Sequence, residues 1–262
     1  MNQPTTWERL RADRDWLGFW FMLPTAAFLL LFLLYPLGLG IWLSFTDARI
    51  GTPGKFVGLE NYEWIIGDAK FQTAVFFTLL YTLVASVFKF AIGLYLALLL
   101  NQNMPFKAMI RAVILIPFIV PTVLSAIAFW WIFDPQFSVV SWSLRQLGWI
   151  EGNINFLGDA WNARWSVIFA NVWRGVPFIA IVMTFSVLFT FTDFQLIYVL
   201  TRGGPVNATH LMATLSFQRG ISGGNLGEGA AIAVAMIPFL LAAILFSYFG
   251  LQRRRWQQGA TD

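Results

Sequence analysis

Residues 175–193 read GVPFIAIVMTFSVLFTFTD. This run is apolar for longer than one membrane-crossing helix needs, and no charge marks a turn before Asp193. The apolar character already begins at Ser166 and continues to Leu200. Thirty-five helical residues would reach ~52 Å at ~1.5 Å each, well beyond the ~30 Å of a hydrocarbon core. Two spans of ~20 residues plus a turn need more than that number. The segment is too long for one crossing and too short for two, so a turn near Met183 and Thr184 lacks the residues to build it.

Working outward, the class is set by the uncharged runs. Of 262 residues, 58% are hydrophobic and 11% charged, where soluble domains carry about a quarter charged. Long apolar runs cover residues 16–46, 71–88, 112–133, 175–192 and 229–252. They do not alternate as barrel strands would. The fold class expected is all-α: a polytopic transmembrane helical bundle. Cysteine is absent, which excludes disulfides and thiolate chemistry. The net charge of +4 does not point to nucleic acid, because the basic residues cluster beside spans as topology signals do. The first apolar run is too long for the h-region of a cleavable signal peptide.

The positive-inside rule then fixes the count. Arg9, Arg11 and Arg14 put the N-terminal segment 1–15 in the cytoplasm, Lys107 and Arg111 mark a cytoplasmic loop, and Arg253, Arg254 and Arg255 hold the 253–262 tail inside. Two cytoplasmic ends require an even number of crossings. One span over 166–200 gives five and two give six. The expected spans are about 19–45, 72–100, 112–133, 166–183, 184–200 and 229–250, within one transmembrane domain over 16–252. Pro36 is expected to kink the first. Trp20, Trp42, Trp130, Trp131, Trp165 and Tyr198 read as interfacial anchors.

Nothing reads as an enzyme. The spans offer Ser and Thr without a histidine or carboxylate pair, and GxxxxGK is absent. No metal site and no cofactor are expected. His210 in TRGGPVNATH reads as a solvated loop histidine. Three helical faces combine hydroxyl, amide and aromatic groups at i, i+3, i+4 spacing: Phe118, Pro121, Thr122 and Ser125; Asn171, Arg174, Gly175 and Phe178; Ser186, Phe189, Thr190 and Asp193. The plain alternative is that small and hydroxyl residues let helices approach closely. Lys89, in the middle of a span, either pairs inside or bends its stem to an interface. Arg174 reads as a pathway or gate residue, with Asp193 a possible partner.

LPTAAFLLLFLLYPLGLGIWLSFTD (23–47), FVGLENYEWI (56–65), FKAMIRAVILIPFIVPTVLSAIAFWWIFDPQFS (106–138) and FTDFQLIYVLTRGGPVNAT (191–209) resemble, in order, the membrane subunits of bacterial ABC importers for sugars, the MalF/UgpA-like permeases. The resemblance runs from about Leu23 to Arg255. It implies the six-span type I importer permease fold in the bacterial inner membrane. Implied partners are a second permease in a heterodimer, two ATPase subunits that hydrolyse ATP, and an extracytoplasmic sugar-binding protein. It also implies that sugar lies against Phe118, Thr122, Asn171, Gly175, Phe178, Ser186, Phe189 and Thr190. One departure stands out. The family carries a cytoplasmic E-A-A loop that forms the helix docking the ATPase, and this chain passes from IAIVM directly to TFSVLF. Either the sequence omits that loop, the favoured reading, or the protein lacks it. A chain truly without it would not couple to ATP and would favour a non-transporting scaffold. An ion-coupled secondary transporter is the other rival, and it predicts inverted repeats with membrane carboxylates. No repeat is visible, and Asp193 is the one acid within an expected span.

Overall fold

In a computed structural model, the described residues are 14–102, 105–179, 190 and 192–258. They are mostly helical, and strand pairing among them is limited to isolated bridges. Helices are the expected outcome for apolar chain, since a helix satisfies its own backbone N–H and C=O groups where water is absent.

The first apolar segment consists of α1 (Arg14–Leu29), a π-helical turn (Leu30–Leu34) and α2 (Tyr35–Leu43). The wide turn falls just before Pro36. Proline has no N–H to return to the preceding turn, and Trp16–Leu43 nonetheless runs as one helical segment. A short α3 (Glu60–Gly67) leads into α4 (Ala69–Asn101). Asp68 caps α4 by accepting the Lys70 N–H at 2.9 Å. Then come α5 (Lys107–Ile119), α6 (Thr122–Ile132), α7 (Val139–Gln146), α8 (Ala160–Ile179), α9 (Phe194–Leu200), α10 (Met212–Phe217), a second π-turn (Gln218–Ser222) and α11 (Leu226–Gln258).

By length and composition, Trp16–Leu43 and Ala69–Leu100 are each able to cross a membrane. The segment expected to be one span over 112–133 is two helices meeting at 91°. Pro121 is the cause. The residue before a proline is pushed out of helical geometry, and Val120 sits at ψ 127°. Pro121 then serves as the N-cap residue of α6. Leu226–Ala242 is a shorter apolar helix.

The centre of the molecule is the contact between α4 and α8. On α4, Ala74, Phe77, Thr78, Tyr81, Ala85 and Lys89 are buried, a stripe recurring every three or four residues. On α8 the matching stripe is Ala163, Ser166, Val167, Ala170 and Asn171. Alanines on both helices allow close approach, and Phe77, Tyr81, Phe129, Leu196 and Ile197 fill the space around them. A second core joins Ile65, Ala74, Met212, Leu215, Ile232 and Met236, tying α3, α10 and α11 to α4. Thr78 links the two cores: its hydroxyl donates to the Ala74 carbonyl at 2.6 Å and accepts the Met212 N–H at 2.9 Å. That N–H opens α10 and has no partner within its own helix.

The loops at one end are joined by polar contacts. Arg219 pairs with Asp68 at 2.7 Å and stacks 4.6 Å from the Trp64 ring centroid. Arg164 Nε donates to the Ala208 carbonyl at 2.9 Å and lies over Trp161. His210, expected to be solvated, is instead buried, with Nδ1 3.1 Å from the Thr214 hydroxyl. Gly203 makes this possible. Its φ of +84° is the left-handed region that glycine tolerates, and a Cβ there would collide with the imidazole ring. Loop polarity misled the sequence reading, because the loop folds back over the ring. Burial first, and then the charge of Lys70, push the His210 pKa from 6.5 down to about 4.

The sign of the pH effect follows. The unfolded chain binds the proton more readily than the folded one, so the contribution of His210 is complete above pH ~6.5. It falls as the pH drops toward the folded value of about 4. Thermal unfolding of the purified chain should therefore lose stability across that window, and His210→Gln should flatten that part of the profile.

Candidate functional site

A cavity of about 660 Å³ opens beside the α4–α8 contact. Lys89 of α4 and Asn171, Arg174 and Gly175 of α8 line one side. Phe118 of α5 and Thr122 of α6, on either side of the Pro121 break, line the cavity as well. Thr190, Thr192, Asp193, Phe194 and Gln195 complete the wall. The break in the expected third span therefore presents the end of α5 and the start of α6 to the cavity.

Asp193 sits at the head of α9. Its Oδ2 accepts from Asn171 Nδ2 at 2.6 Å and from the Tyr81 hydroxyl at 3.0 Å. Lys89 is 3% exposed, so its stem turns inward rather than toward an interface. Its ammonium donates to the Thr190 hydroxyl. Arg174 and Lys89 lie within electrostatic range of Asp193 and of each other. Among the described residues, however, neither cation makes an ion pair with it within 4.0 Å. The pairing of Arg174 with Asp193 suggested by the sequence is thus replaced by the amide and phenol contacts. Asn171 Oδ1 and Arg174 Nε are buried without hydrogen-bond partners among the described residues. These are groups that a polar ligand can satisfy.

Of the residues marked from sequence, Phe118, Thr122, Asn171, Arg174, Gly175, Thr190 and Asp193 meet at this cavity. Phe178 lies in the last turn of α8, with its side chain outside the description. Ser186, Phe189, Met183 and Thr184 lie outside the described residues, as does the join between the fourth and fifth expected spans. Ser125, on the same sequence face as Thr122, is buried and does not line the cavity. Sequence reading did not assign Lys89 to the site and did not single out Tyr81. A lysine mid-span was the available signal for the first. A tyrosine in an aromatic-rich chain gave none for the second. Among the described residues, no group of three or more His, Cys, Asp or Glu side chains could hold a metal.

No protein-family model matches the chain. It is 27% identical to the trehalose/maltose transport system permease MalF of Thermococcus litoralis, over 91% of this chain and 95% of that one. Similarity to the trehalose permease SugA of Mycobacterium tuberculosis is 27%, over 90% and 88%. To the sn-glycerol-3-phosphate permease UgpA of Yersinia pestis it is 22%, over 92% and 95%. A crystal structure of a bacterial ABC transporter that imports the acidic polysaccharide alginate matches with a TM-score of 0.74 at 19% identity, covering 94% of this chain and 98% of that one. Along nearly its whole length the chain is similar to membrane permeases of ABC importers, and its fold is that of such a transporter's membrane chain. The MalF match extends over 282 aligned positions yet covers 91% of a 262-residue chain, so some forty positions are gaps in this sequence.

Gly175 sets the closeness of Lys89 to α8, because a Cβ there would collide with Lys89 Cδ. Alanine for glycine in a helix is worth up to ~1 kcal/mol in propensity, whereas overpacking costs ~1–3 kcal/mol. Gly175→Ala should therefore lower the thermal stability of the detergent-solubilised protein. Combining it with Lys89→Ala should recover at least ~0.5 kcal/mol relative to the sum of the single variants.

Proposed function

We propose that this chain is one transmembrane subunit of an ATP-driven sugar importer and that the 660 Å³ cavity is its half of the translocation pathway. The supporting observation is a polar, partly unsatisfied ring built between apolar helices. Polar groups in a bundle interior are costly and mark substrate pathways. Asn171 and Thr122 offer amide and hydroxyl partners, and Phe118 offers an aromatic face. That combination suits a sugar, which needs hydroxyl pairing along its edge and apolar contact on its ring face. The named cargoes of the relatives range from trehalose and maltose to sn-glycerol-3-phosphate, so the class is carbohydrate and polyol derivatives.

In this reading the chain crosses the inner membrane six times with both termini cytoplasmic. It pairs with a second permease, receives cargo from an extracytoplasmic binding protein and is driven by two ATPase subunits. Its own contribution is a difference in cargo affinity between outward- and inward-open states, without which no ligand shifts the equilibrium. A bent α5–α6 pair and a separate α9 place short helix ends at the cavity, where small rotations change access.

ATP hydrolysis by the assembled complex should rise when loaded binding protein is added. Thr122→Val should raise the cargo concentration for half-maximal uptake about tenfold, the consequence of ~1.4 kcal/mol lost with one hydrogen bond. Unstimulated hydrolysis with every sugar-loaded binding protein, in a complex whose permease carries the additional loop, would contradict the reading. A protein joined directly at Met183–Thr184 should bind cargo yet show no stimulation, whereas one carrying the additional loop should respond.

A further inference from the structure

The charges around the cavity do not balance. Lys89 and Arg174 contribute two cations and Asp193 one carboxylate. Oδ2 of that carboxylate already accepts from Asn171 and Tyr81. Among the described residues, the ion pairs within 4.0 Å belong to Arg219 at the loop end, and none involves Lys89 or Arg174. Nor do residues 180–189 and 191 alter the count, because their sequence, AIVMTFSVLF and Phe191, has no acidic side chain. An uncompensated charge inside a bundle is expensive, and the cost falls when a counter-charge enters with good hydrogen-bond geometry.

The two cations are also suited to different tasks. Lys89 is held by the Thr190 hydroxyl and kept close to α8 by Gly175, so it acts as a fixed point charge. Arg174 has a buried Nε with no hydrogen-bond partner among the described residues. A guanidinium offers a planar fork that matches a carboxylate or a phosphate. Next to it, the unpartnered Asn171 Oδ1 can accept a hydroxyl from the same ligand.

Resting on the importer reading above, we propose that the cargo of this cavity is an anionic sugar or polyol, carrying a carboxylate or phosphate group held between Lys89 and Arg174. A neutral sugar would satisfy the hydroxyl and amide groups but leave the excess positive charge unanswered. An anionic one answers both.

The test uses the complete importer with its binding protein in lipid nanodiscs and three probes: trehalose, trehalose 6-phosphate and digalacturonate. Equilibrium binding to the nanodisc complex should be at least tenfold tighter for one anionic probe than for trehalose. Which of the two it is separates phosphate from carboxylate. Lys89→Gln should remove that preference, and Lys89→Arg should keep it within about threefold. The wild-type comparison stands even if the glutamine variant does not fold. Trehalose binding as tightly as both anionic probes, failure of both anionic probes to bind, or a preference untouched by a folded Lys89→Gln protein would overturn the proposal. ATP hydrolysis stimulated by trehalose-loaded binding protein, with no anionic preference, would leave the importer reading standing and remove the charged cargo. Hydrolysis unresponsive to any loaded binding protein, in a complex whose permease carries the additional loop, would overturn both.

Discussion

Everything in this molecule depends on sealing polar side chains against one another inside an apolar bundle. α4 and α8 meet along stripes of alanine, phenylalanine and valine, and that close contact brings Tyr81 and Lys89 opposite Asn171 and Arg174. Asp193 closes the group from a separate short helix. Were the helices held apart by larger residues, lipid or water would reach these groups and the cavity would lose its definition. Small residues at the contact are thus the precondition for a polar site in a membrane. The bland reading of those residues as packing and the functional reading of their neighbours are two parts of one arrangement.

Much of this was legible in the sequence, because hydropathy directly reports the solvent each segment meets. The apolar runs, the break beside Pro121 aside, and most of the cavity wall follow from composition and helical spacing. What was not legible depended on tertiary geometry. Periodicity placed Phe118 and Thr122 on one continuous helix. Pro121 instead splits that helix at a right angle, and the two residues line the cavity from either side of the break. His210 looked like a solvated loop residue, because nothing local announces that Gly203 leaves room for its ring. Lys89 stood out as a charge, but only the path of its stem past Gly175 decides between the interior and an interface.

In the proposed importer, the junction at Met183 and Thr184 is where a coupling loop is expected. Bilayer thickness alone indicates a shortage of residues there, and the alignment with MalF leaves some forty positions as gaps in this sequence. The polar cluster assembles from the described residues without that loop, so in the proposed importer binding and coupling are expected to be separable.

The absence of cysteine from the sequence makes the central claim directly measurable. A single cysteine placed at Thr122, in the complete importer, can be labelled with a membrane-impermeant thiol reagent from either side. If the cavity is a pathway with alternating access, labelling from one side should fall at least tenfold between the nucleotide-free and ATP-trapped complexes, while labelling from the other side rises. Equal labelling in both states, or protection from both sides throughout, would mean that the cavity is a packing defect rather than a route.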